Sequence, residues 1–160
     1  AIAILEGYMH LVVRGTDNGI YHNTADPFYW PPTWYGWTHL LGATISPPTL
    51  EAVTSPSPHL NLVVRGADNG IYYNRWVGSW TGWVNLGGAT NDRPDLWADT
   101  TYLYLVVRGS DNGIYEKVMN LSTYVWLTSW TKWPGATSSG PTYEAGKIWV
   151  RGTDNGVYYT

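Results

Sequence analysis

A β-propeller built of four-stranded antiparallel blades is the fold this 160-residue chain predicts, and three observations predict it. A nine-residue phrase, Val13-Arg14-Gly15-Thr16-Asp17-Asn18-Gly19-Ile20-Tyr21, recurs with small changes at 64–72, 107–115 and 150–158. Its arginines, Arg14, Arg65, Arg108 and Arg151, lie 51, 43 and 43 residues apart, a period that suits one blade of a propeller. Apolar residues come in short β-branched and aromatic bursts broken by Gly, Pro, Asn and Asp, without the i, i+3, i+4, i+7 stripe of a helical repeat.

The single domain divides into units at roughly 1–48, 49–93, 94–140 and 141–160. The second unit is the most regular. Its strands are expected at 49–54 (A), 60–65 (B), 71–76 (C) and 80–86 (D), in an antiparallel meander. Strand B runs Leu62-Val63-Val64 without polar alternation, as it must when both faces of a sheet are covered by neighbouring blades. Between B and C, Gly66-Ala67-Asp68-Asn69-Gly70 reads as a tight hairpin with Gly70 in the left-handed region. The fourth unit offers strands at 142–145, 148–151 and 157–160 and no strand D. Its A–B connection, Gly146-Lys147, is expected to be tighter than in the other units.

Composition narrows the function. Charged residues make up 13% of the chain, about half the usual share, while aromatics reach 16% through 11 Trp and 13 Tyr against one Phe. Trp and Tyr join a large apolar face to a polar handle and favour half-wet positions, so the skew fits a binding surface or a Trp-built blade core. A net charge of −3 with nine scattered basic residues speaks against nucleic acid as partner. No apolar run has the length of a membrane span. The chain starts at Ala1 without a Met, from which a processed, secreted form is expected, while zero cysteine leaves the redox compartment undecided. Asn120-Leu121-Ser122 is a glycosylation sequon, a pattern common by chance.

Strand D carries an aromatic comb. Trp37, Trp83 and Trp130 each stand five residues before the glycine of a Gly-Ala-Thr phrase (Gly42, Gly88, Gly135), and Trp34 and Trp80 stand eight before it, where the third unit has Leu127.

The run 13–22 together with Trp34, Trp37 and Leu41-Gly42, and its counterpart Trp80-Thr81-Gly82-Trp83 with Leu86-Gly87-Gly88, resembles the blade motif of Photorhabdus-type bacterial β-propeller lectins. Related tectonin-like lectins use a similar Trp-rich blade. The resemblance spans all four units. It implies a lectin with many weak sites that binds glycans, fucose or related monosaccharides included, in clefts between neighbouring blades. Those lectins carry about seven blades, whereas this chain has three full units and most of a fourth. Two chains closing an eight-bladed homodimer, a four-bladed monomeric ring, and a piece of a longer propeller remain open as ways to cover the flanks.

A sugar site needs an aromatic face for the C–H side of the ring and convergent polar groups for the hydroxyls. Trp34, Trp37, Trp80, Trp83 and Trp130 are the stacking candidates, with inter-blade packing as the competing use. Arg14, Arg65, Arg108 and Arg151 are candidate donors to sugar hydroxyls, and Asp17, Asp68, Asp111 and Asp154 candidate acceptors. Each of these also has a purely structural reading: the Asp caps its own turn and the Arg pairs with that Asp across the hairpin. Tyr21, Tyr72, Tyr115 and Tyr158 are expected in the core with hydroxyls anchored on backbone. His22, Tyr73, Glu116 and Tyr159, which follow them, vary in chemistry.

Enzymatic readings fare worse. The Ser-x-Asp spacing and trailing Thr-Trp of a sialidase Asp-box are missing, and a glycosidase needs a carboxylate pair about 5 to 10 Å apart. Glu6, Glu51 and Glu144 fall at or near strand A, so a central cluster is conceivable, but a site that comes in copies argues for binding. The histidines, at 10, 22, 39 and 59, have no metal-ligand spacing, and no Ser-His-Asp arrangement follows from the sequence. No cofactor is expected.

Overall fold

The computed structural model describes residues 1–55, 57–127 and 129–160, and among them there is no helix, hence none long and apolar enough to cross a membrane. Four antiparallel sheets follow one another along the chain. The first holds β1 (Ile2–Leu5), β2 (Tyr8–Arg14), β3 (Gly19–Asp26), β4 (Thr33–Trp34) and β5 (Thr38–Ala43), with β4 and β5 both on the edge of β3. The second is the meander β6 (Thr49–Val53), β7 (His59–Arg65), β8 (Gly70–Trp76), β9 (Val84–Ala89). The third repeats the first pattern with β10 (Asp95–Ala98), β11 (Tyr102–Arg108), β12 (Gly113–Asn120), β13 (Val125–Trp126) and β14 (Thr131–Ala136). The fourth has β15 (Thr142–Glu144), β16 (Lys147–Arg151) and β17 (Val157–Tyr159). The inner strands β1, β6, β10 and β15 lie side by side in that order, so the sheets are successive blades of a propeller.

Burial shows which faces the neighbours cover. Strand β7 is buried along all but its last residue, whereas β2 and β16, in the end blades, alternate between buried and partly or fully exposed positions. Leu5, Val12 and Ile20 of the first blade pack with Leu50, Leu60, Leu62 and Val64 of the second. Val63 and Ile71 of the second pack with Leu96, Leu103, Leu105 and Val107 of the third, and Val106 and Ile114 of the third with Tyr143, Ile148 and Val150 of the fourth.

Three expectations are corrected. Strand D begins later than foreseen, at Val84 rather than 80, and in the first and third blades the outer edge is split in two. The Asn74 side chain explains the delay: its Oδ1 accepts from Gly82 N at 3.0 Å, replacing a ladder partner, and Asn23 Oδ1 does the same for Gly36 N. The left-handed residue of the repeated hairpin is Asn rather than the Gly after it, with φ of 65°, 66°, 62° and 66° at Asn18, Asn69, Asn112 and Asn155, a region Asn tolerates better than most residues. The first blade's A–B turn, Glu6-Gly7, is as short as Ala145-Gly146 in the fourth, and both turns have positive φ at both residues.

Two of the three threonines in the Gly-Ala-Thr phrases, Thr44 and Thr137, tie one blade to the next. Thr44 N donates to Asn18 O of its own hairpin at 2.9 Å, while its hydroxyl donates to Arg65 O of the following blade at 2.8 Å. Thr137 repeats the pattern with Asn112 O and Arg151 O. These threonines are fully buried, so the hydroxyl bond also avoids an unsatisfied polar group.

Candidate functional site

The repeated hairpin builds an Asp–Tyr pair. Asp68 Oδ1 accepts from Gly70 N at 2.9 Å and Oδ2 accepts from the Tyr72 hydroxyl at 2.8 Å. The same two bonds recur in Asp17–Tyr21, Asp111–Tyr115 and Asp154–Tyr158. The tyrosine hydroxyls are thus anchored on a carboxylate, not on backbone as expected. Gly66 makes room for this: a Cβ there would lie 2.6 Å from the Tyr72 ring and from Asp68 Oδ1. The hydroxyl and amide donors hold Asp68 below the usual carboxylate range, and the bond to the Asp68 carboxylate pushes the Tyr72 phenol up. A carboxylate has about four acceptor positions, so Asp68 keeps capacity toward solvent.

Tyr72 and Tyr115 pack, partly buried, against the hydrophobic clusters and also face the clefts between blades. Asp68 and Tyr72 stand on one wall of a cleft of about 360 Å³ between the first and second blades, with Trp83 beside them and Ile20, Gly42 and Ala43 opposite. The cleft between the second and third blades, about 340 Å³, is the same construction: Asp111, Tyr115 and Trp130 face Ile71, Gly88 and Ala89. Between the third and fourth blades a wider opening of about 480 Å³ has Asp154 and Tyr158 against Ile114, Gly135 and Ala136, without a tryptophan. All three fall in the size range of small-molecule sites.

The indoles close the gap between blades. Trp83 Nε1 donates to Leu40 O at 2.9 Å and Leu41 O at 3.0 Å of the first blade, and Trp130 Nε1 donates to Gly87 O of the second at 3.2 Å. At Gly88, with φ of +75°, a Cβ would come within 3.2 Å of Trp130 Nε1, so both the backbone conformation and the approach of the ring call for glycine. Packing and cleft lining are therefore the same use of these two rings.

The remaining sequence candidates lie elsewhere. Trp37, the third of the trio, sits on the open flank of the first blade and is 54% exposed. Trp80 turns to the far side of the Gly82 kink, where its Nε1 donates to His22 Nδ1 at 3.2 Å; His22 in turn contacts His10 at 3.0 Å in a stacked pair. Burial keeps both imidazoles neutral, His22 with its pKa lowered to about 4. Trp34 pairs with Ala25 on the open flank. The four arginines hold loops rather than their own hairpin's Asp: Arg14 donates to Ile45 O, Arg65 to Asn69 Oδ1 and Asn91 O, Arg108 donates to Asn112 Oδ1 and forms an ion pair with Asp92 at 2.5 Å, and Arg151 donates to Ser138. Of the carboxylates expected at the centre, Glu51 and Glu144 meet Asp95 around an opening at the inner strands. Glu6 stands in the exposed A–B turn instead. Burial pushes Glu51 up to about 7, with Asp95 and Glu144 adding to the rise. Among the described residues, no group of three or more His, Cys, Asp and Glu is arranged to hold a metal ion.

The tyrosine partners of Asp68 and Asp111 are the part of the clefts that the sequence reading did not foresee. Their signal was present in the strict co-repetition of Asp and Tyr four residues apart, which a core tyrosine does not require.

Inter-blade clefts that recur around an arc define a propeller in which one cleft construction is repeated. No protein-family model matches the sequence, and no curated protein is significantly similar to it. Solved structures do resemble it. A fucose lectin from Kordia zhangzhouensis in complex with methyl-fucoside superposes with a TM-score of 0.58 at 16% identity, over 81% of this chain and 91% of that one. A mutant of the Aleuria aurantia lectin AAL, in complex with Fucalpha1-6GlcNAc, gives a TM-score of 0.55 at 15% identity over 96% of this chain. The chain spans 59% of the length of that lectin. At these identities the likeness is one of fold, and it places the four sheets as propeller blades.

Proposed function

We propose that this chain is a multivalent carbohydrate-binding protein acting outside the cell, taking fucose or related monosaccharide units of glycans in the clefts between its blades. The observation that carries the reading is the doubling of one cleft: Trp83, Tyr72 and Asp68 in the first, Trp130, Tyr115 and Asp111 in the second. An indole edge and phenol ring give the C–H side of a pyranose an apolar surface, and the carboxylate oxygens left open accept from its hydroxyls. Sites that are weak singly gain by repetition on one rigid frame. The central carboxylates Glu51, Asp95 and Glu144 line a separate opening, which favours binding over turnover. Both fold neighbours are described in complex with fucosides, which supports the choice of sugar.

The open flanks are best covered by a second copy. The first blade leaves Ile2, Ile4 and Trp37 exposed, and the fourth leaves Val157, Tyr158 and Tyr159 exposed, Val157 by 74%. Equivalent positions in the middle blades are covered by a neighbour. A homodimer of eight blades places the fourth blade of one copy against the first of the other.

Titration of methyl fucoside against the intrinsic tryptophan signal tests the binding reading, with a glycan array for breadth. Saturable binding weakened at least tenfold by Trp83→Ala plus Trp130→Ala supports it; no binding to any glycan on the array overturns it. Native mass near twice 17.9 kDa supports the dimer, and a mass of one chain rejects it.

A further inference from the structure

The two complete clefts share their walls but not their charge. Strand register makes the comparison exact in position: Asn74 faces Leu62 in the second blade as Lys117 faces Leu105 in the third, and Asn85 faces Tyr72 as Lys132 faces Tyr115. Two amides of the second blade are therefore replaced by ammonium groups in the third, Lys132 against Asp111 and Lys117 against Trp130, and Asp111 and Trp130 both line the second cleft.

The two lysines differ in setting: Lys132 is exposed and paired, whereas Lys117 is largely covered. Lys132 Nζ lies 2.7 Å from Asp111 Oδ2 and 5.5 Å from the centre of the Tyr115 ring. It adds a third donor to the carboxylate that lines the cleft. Lys117 is only 8% exposed, and its Nζ stands 5.5 Å from the centre of the Trp130 ring. Among the described residues no carboxylate comes within salt-bridge distance of it. The Lys117 stem is covered by the sheet while its ammonium has no carboxylate partner among those residues, and the Trp130 face offers it a cation–π contact.

Other charges do not cancel the difference. Arg65 and Arg108 recur at both clefts, and Asp92 neutralises Arg108. Asp68 has no lysine partner, whereas Asp111 is matched by Lys132 with Lys117 left over. The second cleft remains the more positive.

We propose that the cleft between the second and third blades takes carboxylate-bearing saccharides of the uronic-acid type, while the cleft between the first and second takes neutral ones. This rests on the clefts being glycan sites. A sugar carboxylate supplies the counter-ion that Lys117 lacks and competes with Asp111 for Lys132, whereas at the first cleft it meets Asp68 with no lysine beside it among the described residues. One chain thereby reads two chemical features of a mixed glycan.

The test follows the indole N–H resonances of Trp83 and Trp130 during separate titrations with methyl glucuronide and methyl fucoside. The expected result is that methyl glucuronide perturbs Trp130 at about tenfold lower concentration than Trp83, that raised salt narrows the gap, and that Lys132→Asn and Lys117→Asn each shrink it. Lys132 is exposed, so its variant folds whatever happens at Lys117. Equal response of the two indoles to methyl glucuronide, or a gap that survives both substitutions, overturns charge sorting while leaving a neutral-sugar site intact if methyl fucoside still binds. Silence of both indoles toward both sugars overturns the glycan reading itself.

Discussion

The indole N–H of Trp83, on the second blade, is shared between the carbonyl oxygens of Leu40 and Leu41 on the first. One side chain thus fastens two blades and walls the cleft between them. Trp83→Phe keeps a ring but removes the donor, and is expected to lower stability by about 1 kcal/mol with binding at that cleft reduced. Trp83→Ala removes both uses and is expected to lose about 3 kcal/mol together with that site. Chemical denaturation and sugar titration of the same samples check the pairing of the two effects.

Gly66 is where the cleft wall is easiest to break from behind. A methyl group there collides with the Tyr72 ring, so Gly66→Ala should cost about 1–3 kcal/mol by overpacking and displace the Asp68–Tyr72 pair. Gly146→Ala is its control, because nothing lies within 4 Å of a Cβ at that position and only its positive φ of +76° is strained. Thermal unfolding of the two variants, with binding measured at the Trp83 indole, separates collision from backbone strain.

Acid should loosen the junction of the first two blades. Trp80 donates to His22 Nδ1, so His22 carries its proton on Nε2 and donates to His10 Nδ1. A further proton on either ring puts two donors face to face. Burial lowers both pKa values, His22 to about 4, so the unfolded chain binds the extra protons first. The stabilising contribution is complete above the ordinary histidine value near 6.5 and is lost as pH falls from there toward 4. A melting temperature that drops by about 5 °C across that window, and drops less in His22→Gln, is the expected result.

Glu51 has the opposite sign. Its carboxyl is raised to about 7 by burial, with Asp95 and Glu144 reinforcing the shift. The neutral form is the one the fold favours, so stability from this group is present below about 4.5, its ordinary value, and is lost as pH rises through 7. Glu51→Gln is expected to raise stability at pH 8 by about 1 kcal/mol and to change little at pH 4. Melting curves at the two pH values decide it.

The blades themselves were legible in the sequence, because duplication prints the period directly and Leu62-Val63-Val64 shows a strand with both faces covered. The rings of Trp83 and Trp130 were legible as a recurring pair but not their difference from Trp80, three residues earlier. That difference comes from Gly82 at φ +102° and from Asn74 capping its N–H, a local kink that no periodicity records. Tyr72 was read as core because an aromatic at the start of a strand usually is. Only the missing Cβ at Gly66 lets its ring lie over the hairpin, and that close approach belongs to three dimensions. Lys117 and Lys132 were visible as letters, but their correspondence to Asn74 and Asn85 waits on strand register.

The repeated hairpin also sets how this protein ages. Every copy places Asn before Gly, the sequence in which the following backbone nitrogen most readily attacks the side-chain amide and expels ammonia, and Asn is among the thermolabile residues. The copies are not equally protected. Arg65 and Arg108 clamp the amides of Asn69 and Asn112, while Arg14 and Arg151 are turned to Ile45 and Ser138, leaving Asn18 and Asn155 unclamped. Deamidation on storage should therefore begin in the first and fourth blades, and the two complete clefts, whose Asp–Tyr walls stand on the clamped loops, should outlast it.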